Sequence, residues 1–168
     1  MIKQLLEQNW TLTIEGEMGG IPAKVPGSVY GDLLAAGQME EPFWRDNESA
    51  ALALMEHDFT YTTIFTPTEG LTDCPRVLLR FHGLDTLANI TLNGTPLDYT
   101  ENMHRVYEYY VGNLLLPGEN RLTVRFSSPT KYIRARSGPQ FATGSPDAMA
   151  GFPSLRKAHC MFGWDWGP

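Results

Sequence analysis

Short strand-like segments separated by turn residues are the feature of this sequence that most restricts its fold. β-branched and aromatic residues, or alternating polar and apolar residues, fill a series of such segments: Thr60–Thr66, Arg76–Phe81, Asn89–Leu92, Val106–Val111 and Arg121–Phe126. Asn93-Gly94 is a typical two-residue hairpin turn, and Pro96 places the return strand at a sheet edge. Several short strands with turns between them predict an all-β sandwich.

Helix signals are confined to two places before the first long strand. Ser28–Gly37 begins with an N-cap residue and ends with the glycine that commonly stops a helix. A second helix is expected from Asp46 or Asn47 to about Met55. We therefore expect one or two short helices at one end of the sandwich.

The pattern changes after Phe126. Ser127–Leu155 contains many prolines and glycines and no apolar periodicity, which predicts a long loop. The basic residues between Lys131 and Arg136 are interpreted as part of this solvated loop.

Length and charge narrow the class of protein. The chain has 168 residues, which suits one domain over residues 1–168. Its formal net charge of -6 argues against a nucleic-acid partner, because phosphate binding needs an excess of Lys and Arg on some face. No apolar run has the length of a membrane span.

Few residues have the spacing of a redox, metal or targeting motif. Cys74 and Cys160 are too few for a disulfide framework and fit a reducing compartment. The segment Met1–Trp10 lacks the apolar run of a signal peptide, so we expect a cytoplasmic protein. The four histidines form no metal-spaced pair, and no cofactor motif occurs, so neither metal nor cofactor is expected.

The group Trp164-Asp165-Trp166 is the clearest candidate for chemistry. Indole rings can cover the apolar C–H face of a sugar ring, and a carboxylate accepts hydrogen bonds from two adjacent hydroxyls. Arg156 and Lys157 precede this group and could neutralise Asp165 or reach sugar hydroxyls. The alternatives are two core indoles with Asp165 capping a turn, and a basic surface pair.

A set of motifs along nearly the whole chain resembles the N-terminal domain of β-mannosidases of glycoside hydrolase family two. These motifs are Trp10, Val25–Leu34, Glu41–Glu48, Asp58–Tyr61, Phe81–Ala88, Leu92–Gly94, Asn102–Arg105, Leu155–Lys157 and Phe162–Pro168. The Gly-Leu-Asp-Thr and Leu-Asn-Gly motifs belong to the wider family, with its β-galactosidases and β-glucuronidases. The ending Gly-Trp-Asp-Trp-Gly-Pro narrows the resemblance to the mannosidases.

The resemblance implies a jelly-roll sandwich of the galactose-binding type. It implies a parent enzyme that removes terminal β-linked mannose from the non-reducing end with retention of configuration. The catalytic glutamates would lie on a separate barrel, the partner of this domain, so no catalytic residue is assigned here. Asp165 would accept bonds from mannose hydroxyls, Trp164 and Trp166 would wall the subsite, and Arg156 is a further substrate-binding candidate.

The resemblance also contains two departures. Phe59 stands where the family more often has Trp, which affects packing. A strand that follows Gly-Pro in the family is missing, so we expect a sandwich truncated at its C-terminal strand. One strand would then lack a partner, and Lys131–Leu155 and the tail would be poorly ordered.

Other functions remain open from the sequence. The chain could be a stand-alone carbohydrate-binding module, a structural domain that docks the barrel, or a domain of a related β-galactosidase or β-glucuronidase. As a β-mannosidase fragment, it is expected to be inactive alone.

Overall fold

The computed structural model describes residues 1–136 and 152–161. Its larger sheet contains the strands β1 (Trp10–Ile14), β2 (Ile21–Ala23), β3 (Phe59–Phe65), β5 (Ala88–Leu92), β6 (Thr95–Thr100) and β8 (Asn120–Phe126). The sheet is antiparallel and has the strand order β2-β1-β3-β8-β5-β6 within this part of the chain. The prediction of an all-β sandwich is confirmed.

The second layer pairs β4 (Leu78–Phe81) with β7 (Tyr107–Tyr110). The apolar core lies between this pair and the larger sheet, and alternate residues of the central strands fill it. Leu122 and Val124 of β8 are buried, as their alternation predicts. Among the described residues, β4 and β7 pair with each other. That one strand lacks a partner stays a prediction.

The hairpin between β5 and β6 has the predicted turn. Asn93 and Gly94 have φ values of 52° and 80°, the left-handed conformation that a type I′ turn requires. The Asn93 amide donates to the Leu114 carbonyl at 2.9 Å and to the Asn120 side chain at 2.8 Å. The hairpin is thereby tied to the buried start of β8, and β6 lies at the sheet edge as Pro96 predicts.

The two predicted helices are present as α1 (Val29–Ala35) and α2 (Asn47–Leu54). Ser28 caps α1 by accepting a bond from the Gly31 amide, and Gly37 follows with φ +66°. The Asp32 carboxylate is buried and accepts bonds from the Lys24 amide at 2.9 Å and the Tyr61 hydroxyl at 2.8 Å. Because each carboxylate oxygen accepts a hydrogen bond, Asp32 joins α1 to β3 without an unsatisfied buried acceptor.

A third helix, α3 (Pro129–Arg136), contradicts the expected solvated loop. Ser128 caps it by accepting a 3.1 Å bond from the Lys131 amide, and Pro129 occupies the first turn. Two of its three basic residues form ion pairs, Lys131 with Glu15 and Arg134 with Glu56. The fold therefore has three short α-helices in the described residues, not one or two.

The start of α3 is attached to a buried carboxylate at the end of the sheet. Asp58 accepts a 2.8 Å bond from the Ser128 amide through Oδ1, and its Oδ2 lies 2.7 Å from the Arg125 guanidinium. Ser128 also donates through its hydroxyl to the Met55 carbonyl at 2.5 Å. These contacts join α2, β3, β8 and α3 at one corner.

Most of the residues that were expected to be poorly ordered lie outside the described residues. The described ones are regular: 131–136 is helical, and Phe152–Ser154 forms a 3₁₀ turn. Residues 137–151 and 162–168 lie outside the described part. No helix in the described part is long and apolar enough to cross a membrane.

Tyr30 should make stability depend on alkaline pH. Its hydroxyl donates a 2.7 Å bond to the Ala51 carbonyl and so links α1 to α2. Burial, with a smaller effect of the Glu48 carboxylate, raises the pKa of Tyr30 from 10.0 to about 12. The folded state favours the neutral phenol, so this contribution is complete below pH 10.0 and is lost as the pH rises through about 12.

We therefore expect the free energy of unfolding to fall more steeply between about pH 10 and about pH 12 in the wild type than in Tyr30→Phe. Equilibrium urea denaturation at each pH measures both slopes. Parallel slopes would contradict the prediction.

Candidate functional site

The segment from Pro153 to Met161 returns to the sandwich and brings Arg156 to its surface. Arg156 forms an isolated parallel bridge with Asn102. The Met103 amide donates a 3.0 Å bond to the Arg156 carbonyl. The Ala158 amide in turn lies 2.9 Å from the Met103 sulfur, a weak acceptor. The backbone of the segment is thereby registered against the loop that precedes β7.

The loop that receives the segment is itself held in a defined turn. The Asn102 side chain accepts a 2.9 Å bond from the His104 amide, an Asx turn. The Asn102 carbonyl accepts a 2.8 Å bond from the buried Tyr107 at the start of β7. The turn therefore takes its position from the core.

A charged contact joins the same segment to a second loop. The Lys157 ammonium pairs with Asp85 Oδ2, and the Thr86 hydroxyl donates to Asp85 Oδ1. The side chains of Lys157 and Asp85 are 20% and 30% exposed, so water screens this pair less than it screens a fully exposed one. Leu84 and Thr86 on either side of Asp85 are buried, so the backbone that carries the carboxylate is held in place.

Beneath the segment lies a small apolar cluster of Leu87, Ile133 and Leu155, with Tyr132 against it. Leu155 is 5% exposed, and burial of a leucine is worth about 1.5–3 kcal/mol. Ile133 comes from α3. The helix that the sequence pattern did not predict is thus the element on which the segment rests.

Above the segment is an open pocket of about 350 Å³, lined by His104 and residues Pro153, Ser154, Leu155, Arg156 and Lys157. Arg156 is exposed there. A guanidinium offers five donors in a planar fork, which suits hydroxyl or carboxylate oxygens. The pocket can therefore bind a polar, oxygen-rich group.

The predicted site residues differ in what the structure describes. Arg156 lies at the pocket, whereas Trp164, Asp165 and Trp166 lie outside the described residues. Their assignment as substrate-binding residues stays a prediction. Within residues 1–136 and 152–161, no group of three or more His, Cys, Asp or Glu could hold a metal ion.

Sequence reasoning missed Asp85 and the turn at Asn102 as parts of this site. Both lie in motifs that carry the resemblance, Phe81–Ala88 and Asn102–Arg105. Nothing in their spacing shows that Asp85 meets a lysine 72 positions later. The motif membership was the available signal.

Comparison with known proteins places the chain. A family model described as the glycosyl hydrolase 2 galactose-binding domain-like domain matches residues 10–168. The chain belongs to this family. β-Mannosidase of Capra hircus is 31% identical over 97% of the chain, and β-mannosidase A of Aspergillus aculeatus is 31% identical over 99%.

Two solved structures share the fold. The β-D-mannosidase of Dictyoglomus thermophilum matches 97% of the chain with a TM-score of 0.88 and 34% identity. The exo-chitosanase of Amycolatopsis orientalis matches 70% with a TM-score of 0.61 at 17% identity, a likeness of fold alone. The resemblance to β-mannosidase N-terminal domains is confirmed. The chain spans about a fifth of the length of the mannosidases it matches: 19% of each of the two curated relatives and 20% of the solved structure.

Leu155→Ala should lower stability, because the apolar cluster beneath the segment loses its central contact. We expect a loss of about 2–4 kcal/mol in the free energy of unfolding, measured by urea denaturation. Leu116→Ala is the control, since that side chain is 51% exposed, and should change it by less than about 0.5 kcal/mol. Equal effects of the two variants would mean that the segment does not unfold with the sandwich.

Proposed function

We propose that this chain is the N-terminal domain of a retaining β-mannosidase that hydrolyses terminal, non-reducing β-D-mannose residues. The observation that carries the proposal is the similarity to the Dictyoglomus thermophilum β-D-mannosidase over 97% of the chain, with a TM-score of 0.88. Curated β-mannosidases from an animal and a fungus are similar over nearly the same range.

In this proposal, the catalytic glutamates belong to a barrel outside this chain. A retaining glycosidase needs two carboxyl groups about 5–5.5 Å apart across one glycosidic bond. Several carboxylates of the described residues have a structural contact instead: Glu15, Glu56, Asp58, Asp85 and Glu108 are in ion pairs. This use of its acidic groups favours a binding and supporting role for the domain.

The domain contributes Trp164-Asp165-Trp166 to the subsite that holds the terminal mannose. The indoles cover the apolar face of the sugar ring, and Asp165 accepts charge-assisted bonds from two hydroxyls. Arg156, eight residues before Trp164, adds a donor at the edge of the same subsite. Its exposure at an open pocket supports this role.

Two alternatives predict different behaviour. A stand-alone carbohydrate-binding module would bind sugar without any further domain. A domain of a related β-galactosidase or β-glucuronidase would belong to an enzyme with another preference. The β-glucuronidase from an uncultured Clostridium matches 70% of the chain at 21% identity, a likeness of fold alone.

Hydrolysis of chromogenic glycosides tests the proposal. The 168-residue chain and the longer protein that carries it are compared on β-mannoside, β-galactoside and β-glucuronide. We expect hydrolysis of the mannoside by the longer protein alone. A preference for another glycoside would replace the specificity, and hydrolysis by the short chain would overturn the placement of the catalytic pair.

Asp165→Ala in the longer protein should lower kcat/KM for the mannoside by about 100-fold or more. The reason is that two charge-assisted hydrogen bonds are lost, each worth about 1.5–3 kcal/mol. Asp73→Ala is the matched control, because Asp73 is exposed on a loop. If Asp165→Ala lowered Tm and left kcat/KM near that of the control, the Trp-Asp-Trp group would be an interdomain support instead.

A further inference from the structure

We propose that Asp85 and Lys157 are positioning residues for the sugar subsite, an inference that rests on the proposed function. Their ion pair holds the returning segment at Lys157 and so restricts the position of the neighbouring Arg156. Neither residue contacts the sugar in this proposal.

The returning segment is attached to the sandwich by its backbone and by one buried side chain. Its backbone is registered by the 3.0 Å bond from the Met103 amide to the Arg156 carbonyl. Its underside is held by Leu155, which is buried with Leu87 and Ile133. Both contacts act at or before Arg156. The Lys157–Asp85 pair is a side-chain contact that holds the next residue along the segment.

Asp85, the partner of Lys157, is held in place by its neighbours. Asp85 lies between Leu84 and Thr86, which are 6% and 7% exposed. Its other carboxylate oxygen is engaged by the Thr86 hydroxyl. The carboxylate of Asp85 therefore has little freedom to move, and the ion pair forms only when Lys157 lies next to it.

The pair restricts Arg156 because Lys157 is the next residue of the chain. Arg156 is bridged to Asn102, and a displacement of Lys157 moves the backbone of Arg156 with it. The contact of Lys157 with Asp85 therefore restricts the position of Arg156, which is exposed at the pocket. The same pair also fixes the chain seven residues before Trp164.

Small displacements matter in such an arrangement. An error of about 1 Å in the position of a binding group can lower a rate by about 100-fold. The loss of one partly exposed ion pair, by contrast, changes global stability little. A positioning pair therefore predicts a large kinetic effect with a small thermal one.

The experiment uses the longer protein with Asp85→Asn and Lys157→Met. Arg80→Met and Glu108→Gln are the matched controls, because this exposed ion pair joins β4 and β7. Lys157→Arg is the conservative variant, which keeps the positive charge. The readouts are kcat and KM on the preferred glycoside, Tm, and hydrogen exchange of the peptide covering residues 153–161.

We expect Asp85→Asn and Lys157→Met each to lower kcat/KM about tenfold or more and to speed exchange in 153–161, with Tm near that of the controls. Lys157→Arg should keep kcat/KM within about threefold of the wild type. Unchanged kcat/KM, or a loss without faster exchange, would overturn the inference while the proposed function stands. A wild type that hydrolyses no glycoside would overturn both.

Discussion

The position of α3 depends on the contacts of one buried carboxylate, that of Asp58. It binds the Ser128 amide and the Arg125 guanidinium, and so joins the start of β3 to the end of β8. Ser128, held in this way, caps α3. Ile133 of α3 packs against Leu155 in the returning segment. The position of that segment therefore depends on the contact between Asp58 and Ser128 at the start of α3. Removal of the Asp58 carboxylate would leave the Ser128 amide without its acceptor, which typically costs about 1–3 kcal/mol, whereas the half-exposed Arg125 would stay solvated.

The sandwich thus acts as a scaffold for one surface segment. Backbone pairing and the apolar core hold the sandwich rigid. The loops at Asp85 and Asn102 are fixed to it and hold residues 153–158 in place. Binding sites on many proteins are built in this manner, with polar groups on loops that a rigid framework positions. The family relationship and the position of Arg156 together favour a domain that supports and completes a sugar subsite. In the proposed enzyme, the reacting groups come from elsewhere.

Particular elements show how far the sequence could be interpreted. The alternation in β8, the Asn93-Gly94 hairpin and the Ser28 cap are local patterns, and the structure confirms each of them. The α3 helix was missed although Ser128-Pro129 is a typical helix start, because the prolines and glycines that follow dominate the segment. Asp46 precedes α2 as expected, yet its side chain makes no capping bond. Local propensity is a weak guide to a helix end where tertiary contacts determine the conformation.

The sequence by itself determined the strands from β3 to β8, the hairpin turn and the family, because these depend on local periodicity, turn residues and recognisable motifs. It did not predict β1 and β2, which the structure places beside β3 in the order β2-β1-β3. It also marked Arg156 and the Trp164–Trp166 group as candidates for sugar contact. Only the tertiary structure decided that Lys157 meets Asp85, that Asn102 registers Arg156, and that α3 supports Leu155. These contacts join residues that are far apart in the chain, and no local pattern encodes which of them meet. Packing of the core brings them together.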